Sequence, residues 1–272
     1  MLFVYTILEV EQQGWGSVRT LAMGGVAIAL LAAFLARQAQ TANPLMPLRL
    51  FRSRNVSGAN HIQSLLVVAM FGTFFLGALY MQGVLGYDAL EVGLAYLPTT
   101  LVMGAMSFRF SAQLSMRYGP KATLIPSMVA IAAGMLLLAR TPVDASYVVD
   151  LLPSMVLLGL GAGLGFPSLM TLAMSGATPE DSGLASGLVN TSAQVGGAVG
   201  LAVLATLASE RTEGLLADGE TTANALNAGY HLAYLIAAAL IGLAIVVALR
   251  AFRPEAAHAA PMSAEPAYSG AA

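Results

Sequence analysis

The chain has 272 residues, of which only 10% are charged and 57% are hydrophobic, with a mean hydropathy of +0.75. A typical soluble domain carries about 25% charged residues, so this composition excludes a water-soluble globule and describes an integral membrane protein. Net charge is −2, and the absence of cysteine excludes disulfides, thiolate chemistry and cysteine-held metals.

Residues 1–8 are apolar and stop at Glu9. Eight residues rise about 12 Å as a helix, too little to cross a bilayer, so this stretch is expected to be the end of a span that begins upstream. The first nineteen residues carry Glu9 and Glu11 against a single basic residue, Arg19, which does not fit a signal peptide. A loop with Trp15, suited to the headgroup region, leads to the first complete span at about 20–36. Residues 37–58 read as a basic loop with Arg49, Arg52 and Arg54, interrupted by Pro44 and Pro47. Domain boundaries follow: a stub at 1–8, a linker span with its basic loop at 9–58, a six-helix unit at 59–252 and a disordered Ala/Pro/Ser/Glu tail at 253–272.

Spans in the six-helix unit are expected at 62–84, 92–112, 122–139, 148–174, 183–208 and 230–249, with a polar loop at 209–229 between the last two. The fold class is therefore an all-α polytopic bundle. With the basic loop inside, nine of the twelve basic residues fall on the cytoplasmic side: Arg37, Arg49, Arg52, Arg54, Arg109, Arg117, Lys121, Arg250 and Arg253. Most carboxylates fall outside. An odd number of crossings then places the C-terminus in the cytoplasm.

The most informative stretch is 183–208, GLASGLVNTSAQVGGAVGLAVLATLA, twenty-six residues with neither charge nor proline. Helical spacing sorts Gly183, Gly187, Asn190, Gln194 and Gly197 onto one stripe, and Leu184, Leu188, Val195, Val199 and Ala202 onto another. Moving an unpaired amide into hydrocarbon costs roughly 4–8 kcal/mol, so the amide stripe is expected to face other helices or a wet cavity. Asn190 and Gln194 are the first candidates for a substrate path, since uncharged amides bond varied ligands; gluing the bundle is the alternative. Tyr80 and Gln82 are weaker cavity candidates, and interfacial anchoring explains them equally well.

Gly159, Gly163, Gly187, Gly196 and Gly200 are read as helix-packing positions of the small-xxx-small kind. A phosphate loop is the wrong reading of the glycines at 159–165, because there is no GxxxxGK[ST] and the context is a span. Pro98, Pro126 and Pro167 are expected to mark bends. His61, His231 and His258 are dispersed, so no metal site is expected, nor is any catalytic constellation defensible.

The run 183–208, GLGAGLGFPSLM at 159–170, PLMPLRLFRSRN at 44–55 and LGYDALEVGLAYLP at 85–98 together resemble the C-terminal half of the fourteen-span drug:proton antiporters of the major facilitator superfamily. The resemblance covers nearly the whole chain up to about Arg253. It implies spans eight to fourteen, two inverted three-helix repeats, and proton-coupled efflux of small amphipathic molecules by alternating access. SAQLSMRYGPK at 111–121 resembles a degraded copy of the superfamily's cytoplasmic loop motif, with Arg117, Gly119 and Lys121 matching and Met116 and Pro120 departing. That departure favours positive-inside anchoring over gating. The family's coupling residues lie mostly in its first half. The resemblance therefore implies a fragment in a cytoplasmic (inner) membrane, not an enzyme, with no cofactor beyond the proton gradient and no nucleic-acid partner, in need of an N-terminal half in cis or in trans. The alternatives are a half-transporter subunit, and a structural or enzymatic membrane subunit.

Overall fold

The computed structural model describes residues 17–40, 54–175 and 182–251. Every regular element among them is helical. In chain order they are α1 (Val18–Gln40), α2 (Arg54–Gly83), α3 (Ala89–Tyr118), α4 (Pro120–Leu138), α5 (Tyr147–Ser175), α6 (Ser182–Ala217) and α7 (Thr222–Ala251). Helices α2 to α7 supply six candidate membrane spans by length and composition. The shortest, α4, has 19 residues, enough for about 28 Å of rise. The stub 1–8, most of the basic loop and the tail 253–272 lie outside the described residues. Helix α1 covers the expected span at 20–36, its apolar run is Leu21–Leu30, and none of its described side chains is buried.

The six helices pack as two interlocked triplets. Helix α2 lies against α6 and α7, and α5 lies against α3 and α4. Exchanging α2, α3 and α4 with α5, α6 and α7 turns one set of contacts into the other, while α2–α5 and α4–α7 map onto themselves. Because successive spans alternate in direction, the two triplets run in opposite senses, which is the arrangement of an inverted repeat. The resemblance implied this architecture, and the packing displays it.

Glycine decides how closely these helices approach. On α5, a side chain at Gly159 or Gly163 would strike the backbone of Thr99 or Met103, each 2.5 Å from the carbonyl oxygen. At Gly161 and Gly165 it would strike Ser127 and Ile131 of α4. Alternate glycines of the run 159–165 thus serve two neighbours, because residues four apart share a helix face. On α6, Gly196 and Gly200 meet α2 at Ser64 and Val68, again four apart on both partners. Gly187 meets nothing within 4 Å and is not a packing position among the described residues. It falls off the ridge formed by Ser192, Gly196, Gly200 and Leu204, which is the face α6 turns to α2.

Two further expectations need correction. Residues 209–217 continue α6, and α7 begins at Thr222, so the polar loop expected at 209–229 is a turn on Gly219 (φ +88°). Polarity there marks emergence from lipid rather than the end of a helix: Thr212 is buried, and its hydroxyl donates to the Ala208 and Ala225 carbonyls at 2.8 and 3.3 Å. Residues 111–121 form no loop either. Ala112–Tyr118 is helical, Gly119 alone turns the chain at φ +86°, and Pro120 opens α4. Helix α3 is interrupted, since Pro98 restarts it after Tyr96 and a π-helical stretch occupies Met106–Ser111. Its N-terminal end is fixed by a capping box, in which the Asp88 carboxylate accepts from Glu91 N at 2.8 Å and Glu91 Oε2 accepts from Asp88 N at 2.9 Å.

The glycine contacts generate a direct test. Gly163→Leu is expected to destabilise the bundle by about 2 kcal/mol or more through overpacking, whereas Gly93→Leu, with open space around it, is expected to be neutral. Thermal unfolding of the purified variants in detergent measures both.

Candidate functional site

One side of the bundle, formed by α2 and α6, is left uncovered. On α2, Phe71 and Phe75 stand one turn apart and are 52% and 46% exposed. On α6, Asn190 and Gln194 are both exposed and make no hydrogen bond among the described residues. Of the amide stripe expected to face other helices, only Gly197 does so, against Val67 and Phe71; Gly183 and Gly187 meet nothing. Packing went to the ridge of small side chains, which admits close approach, and the bulkier amides were left on the open face.

Each residue of α6 turns the helix by about 100°, so Leu201 and Ala205 follow Asn190 and Gln194 within an arc of about 60°. Those two residues form one wall of a groove of about 570 Å³. Phe75 and Leu79 of α2 form the other wall, while Leu226 and the buried Tyr230 of α7 close the floor. No charged side chain lines it. At its outer end stand hydroxyls whose hydrogens are committed: Thr206 Oγ1 donates to the Ala202 carbonyl at 2.9 Å and Thr212 Oγ1 to that of Ala208 at 2.8 Å. What remains for a ligand there is oxygen lone pairs. The face therefore offers aromatic and aliphatic surface, two free carboxamides and a few hydroxyl acceptors, a surface able to hold an amphipathic molecule without requiring one particular charge. The amides were legible in the sequence, but the groove was not, because it joins side chains over a hundred positions apart.

The other candidates have structural positions. Tyr80 is 1% exposed, which removes both the cavity and the interfacial readings. Its phenol donates to the Pro142 carbonyl at 2.7 Å, and its ring meets that of Tyr230 edge-on at 6.4 Å. The neighbouring Thr141 carbonyl accepts from Asn227 Nδ2 at 3.0 Å and lies 2.8 Å from His231 Nε2. Together these side chains pin the turn after α4 to α2 and α7. Gln82, two residues on from Tyr80, is exposed at the C-terminal end of α2. Lys121 Nζ donates to the Leu249 carbonyl at 3.3 Å, tying the start of α4 to the end of α7, and the Arg117 guanidinium lies 5.2 Å from the centre of the Tyr118 ring. Sequence reasoning missed Asn60, buried on α2, whose Oδ1 accepts from Ser192 Oγ of α6 at 3.0 Å. Among the described residues no group of three or more His, Asp or Glu could hold a metal ion.

The family model described as Major Facilitator Superfamily matches residues 8–201. The chain belongs to the major facilitator superfamily. It is 34% identical, over 92% of its length and 50% of the relative's, to the puromycin resistance protein pur8 of Streptomyces alboniger. With the cephamycin export protein CmcT of Amycolatopsis lactamdurans it shares 35% identity over 80% of this chain and 45% of the relative. With the multidrug transporter protein MdtP of Bacillus subtilis it shares 28% over 76% and 38%. The chain spans about half the length, or less, of these curated relatives. Membership in this superfamily makes it a multi-pass membrane protein of transporter type rather than an enzyme.

Because the chain has no cysteine, single-cysteine variants report cleanly on this face. Cysteine at position 190 or 194 is expected to react with a water-soluble maleimide at least about tenfold faster than cysteine at the buried positions Val189 and Leu204. Equal protection of all four in membranes would place the amides against lipid.

Proposed function

We propose that this chain forms the C-terminal portion of a proton-coupled efflux permease, spans eight to fourteen of a fourteen-span transporter, in the cytoplasmic membrane with its C-terminus in the cytoplasm. Its α2/α6 face is one wall of the substrate path. The observation that carries this reading is the juxtaposition of free intramembrane amides with an uncharged, aromatic-mouthed groove on the uncovered side of an inverted-repeat bundle. Polar groups within a span lie against a partner or a wet cavity, and Asn190 and Gln194 have no hydrogen-bond partner among the described residues. A second six-helix unit facing them would enclose both the amides and the groove, as alternating access requires.

The relatives' names speak of resistance to or export of puromycin, cephamycin and other drugs. By extension, the transported class here is small amphipathic molecules, moved outward against the inward flow of protons. No carboxylate, histidine, lysine or arginine lines the groove, so the proton-carrying groups belong to the complementary half. The spans opposite this face come from the same polypeptide or from a separately made one. The chain's coverage of about half of its relatives' lengths is compatible with either assembly.

Reconstitution in proteoliposomes tests this reading. The 272-residue chain alone is expected to show no export of a lipophilic cationic dye driven by a pH gradient, and the chain assembled with a complementary six-span half is expected to show it. Replacing both Asn190 and Gln194 with leucine in the assembled transporter is expected to lower export about thirtyfold, at about 1 kcal/mol for each lost polar contact. Gradient-driven export by the isolated chain, or export indifferent to collapse of the gradient, overturns the proposal.

A further inference from the structure

The end of the bundle where α3 turns into α4 and where α7 finishes carries positive charge and, among the described residues, no carboxylate. Every described carboxylate lies at the opposite end: Asp88 and Glu91 open α3, Asp144 and Asp150 follow α4, and Glu210, Glu213, Asp218 and Glu220 flank the turn between α6 and α7. At the basic end, the hydrogen bond from Lys121 Nζ to the Leu249 carbonyl joins the start of α4, just after the Gly119 turn, to the last turn of α7; Arg117 lies two residues before that turn and Arg250 next to Leu249. Both arginines are exposed, and neither makes a hydrogen bond or ion pair among the described residues. Arg117 meets only the face of the Tyr118 ring, a contact that uses none of its N–H donors. Beside them Met116 and Tyr118 are 80% and 61% exposed.

We infer that this corner is a binding site for an anionic phospholipid, whose phosphate is held by Arg117 and Arg250 while Met116 and Tyr118 lie along its upper acyl chains. Helix dipoles alone do not account for the arrangement. Lys121 already serves the carbonyl end of α7, whereas the two exposed guanidiniums keep their forked donors, which suit phosphate oxygens. An exposed methionine and an amphipathic tyrosine in the same corner set the depth, since both belong where headgroups meet hydrocarbon. A soluble anion would gain nothing from these apolar neighbours, which is why the lipid is the occupant.

Native mass spectrometry of the detergent-purified full chain, offered phosphatidylglycerol or phosphatidylcholine with identical acyl chains, tests the site. Preferential retention of phosphatidylglycerol is expected, with the preference falling about fivefold for each arginine removed in R117Q and R250Q. R211Q, an exposed arginine at the opposite end, is expected to leave it unchanged, and the double variant R117K/R250K, which keeps the charge but loses the fork, to fall between the unmodified chain and the glutamine variants. Equal retention of the two lipids, an equal loss in R211Q, or full displacement of the lipid by millimolar glycerol phosphate overturns the inference. Should the glutamine variants fail to fold, the thermal midpoint of the unmodified chain decides. A rise with phosphatidylglycerol but not with phosphatidylcholine supports the site, and equal shifts refute it.

Discussion

Lipid tails are as apolar as leucine, so nothing resembling the hydrophobic effect draws these helices together once they are inserted. What holds them is van der Waals contact between backbones, and that contact exists only where no Cβ intervenes. Helix α5 shows how far the chain goes to achieve it. Gly159 and Gly163 lie on the backbone of α3, Gly161 and Gly165 on α4, and no other helix could take this place between two neighbours without similar spacing. Gly196 and Gly200 do the same for α6 on α2, and Gly134 receives Leu158 and the Ser154 carbonyl of α5. Hydrogen bonds then fix register at both ends. Phenols reach backbone carbonyls at the end that holds the α4–α5 turn, from Tyr80 to Pro142 and from Tyr147 to Ala95, while Asn60 with Ser192 and Ser115 with Ser168 join helices toward the opposite end. Each such bond averages only about 0.6 kcal/mol in membranes, so they select the arrangement more than they drive it.

That division of labour explains why the amides of α6 are left outside the bundle. A helix that commits its smallest side chains to one neighbour must turn other residues elsewhere, and the ridge Ser192, Gly196, Gly200, Leu204 is rotated well away from Asn190 and Gln194. Carboxamides are too costly to present to hydrocarbon, so the face carrying them demands another covering: protein, water or both. Helix α3 is the least buried of the six spans, yet its exposed side chains Leu90, Leu94, Leu97 and Leu101 are apolar and need no cover but lipid. Exposure alone therefore does not mark a functional face. Exposure together with unpaired polarity does, and among the described spans Asn190 and Gln194 of α6 show that conjunction, as do Arg109 and Gln113 toward the end of α3.

Most of the helices were legible in the sequence because apolar runs of bilayer length have few other uses, and the glycine pairs were legible because a four-residue repeat of small side chains inside a span has a mechanical meaning. Boundaries went wrong where polarity was taken for irregularity. Residues 209–217 are polar and helical, since a span leaving the membrane keeps its backbone bonds while its side chains change character. The 111–121 segment went wrong for the converse reason: one glycine at positive φ suffices for a turn that the sequence pattern had spread over eleven residues. Tyr80 was misplaced because an aromatic near a span's end usually sits at the interface, and only the fold brings the Pro142 carbonyl to it.

The groove could not be read from sequence for a deeper reason. Its walls belong to α2 and α6 and its floor to α7, so it arises from the interlocking of the two triplets rather than from any one segment. Interlocking also ties the groove's width to the glycine contacts. A larger side chain at Gly196 or Gly200 would push α6 from α2 along the very line on which Phe75 faces Leu201. Helix packing and ligand volume are thus set by the same few Cβ-free positions, and a bundle so built moves as a body, because no helix can shift without breaking a backbone contact on another side.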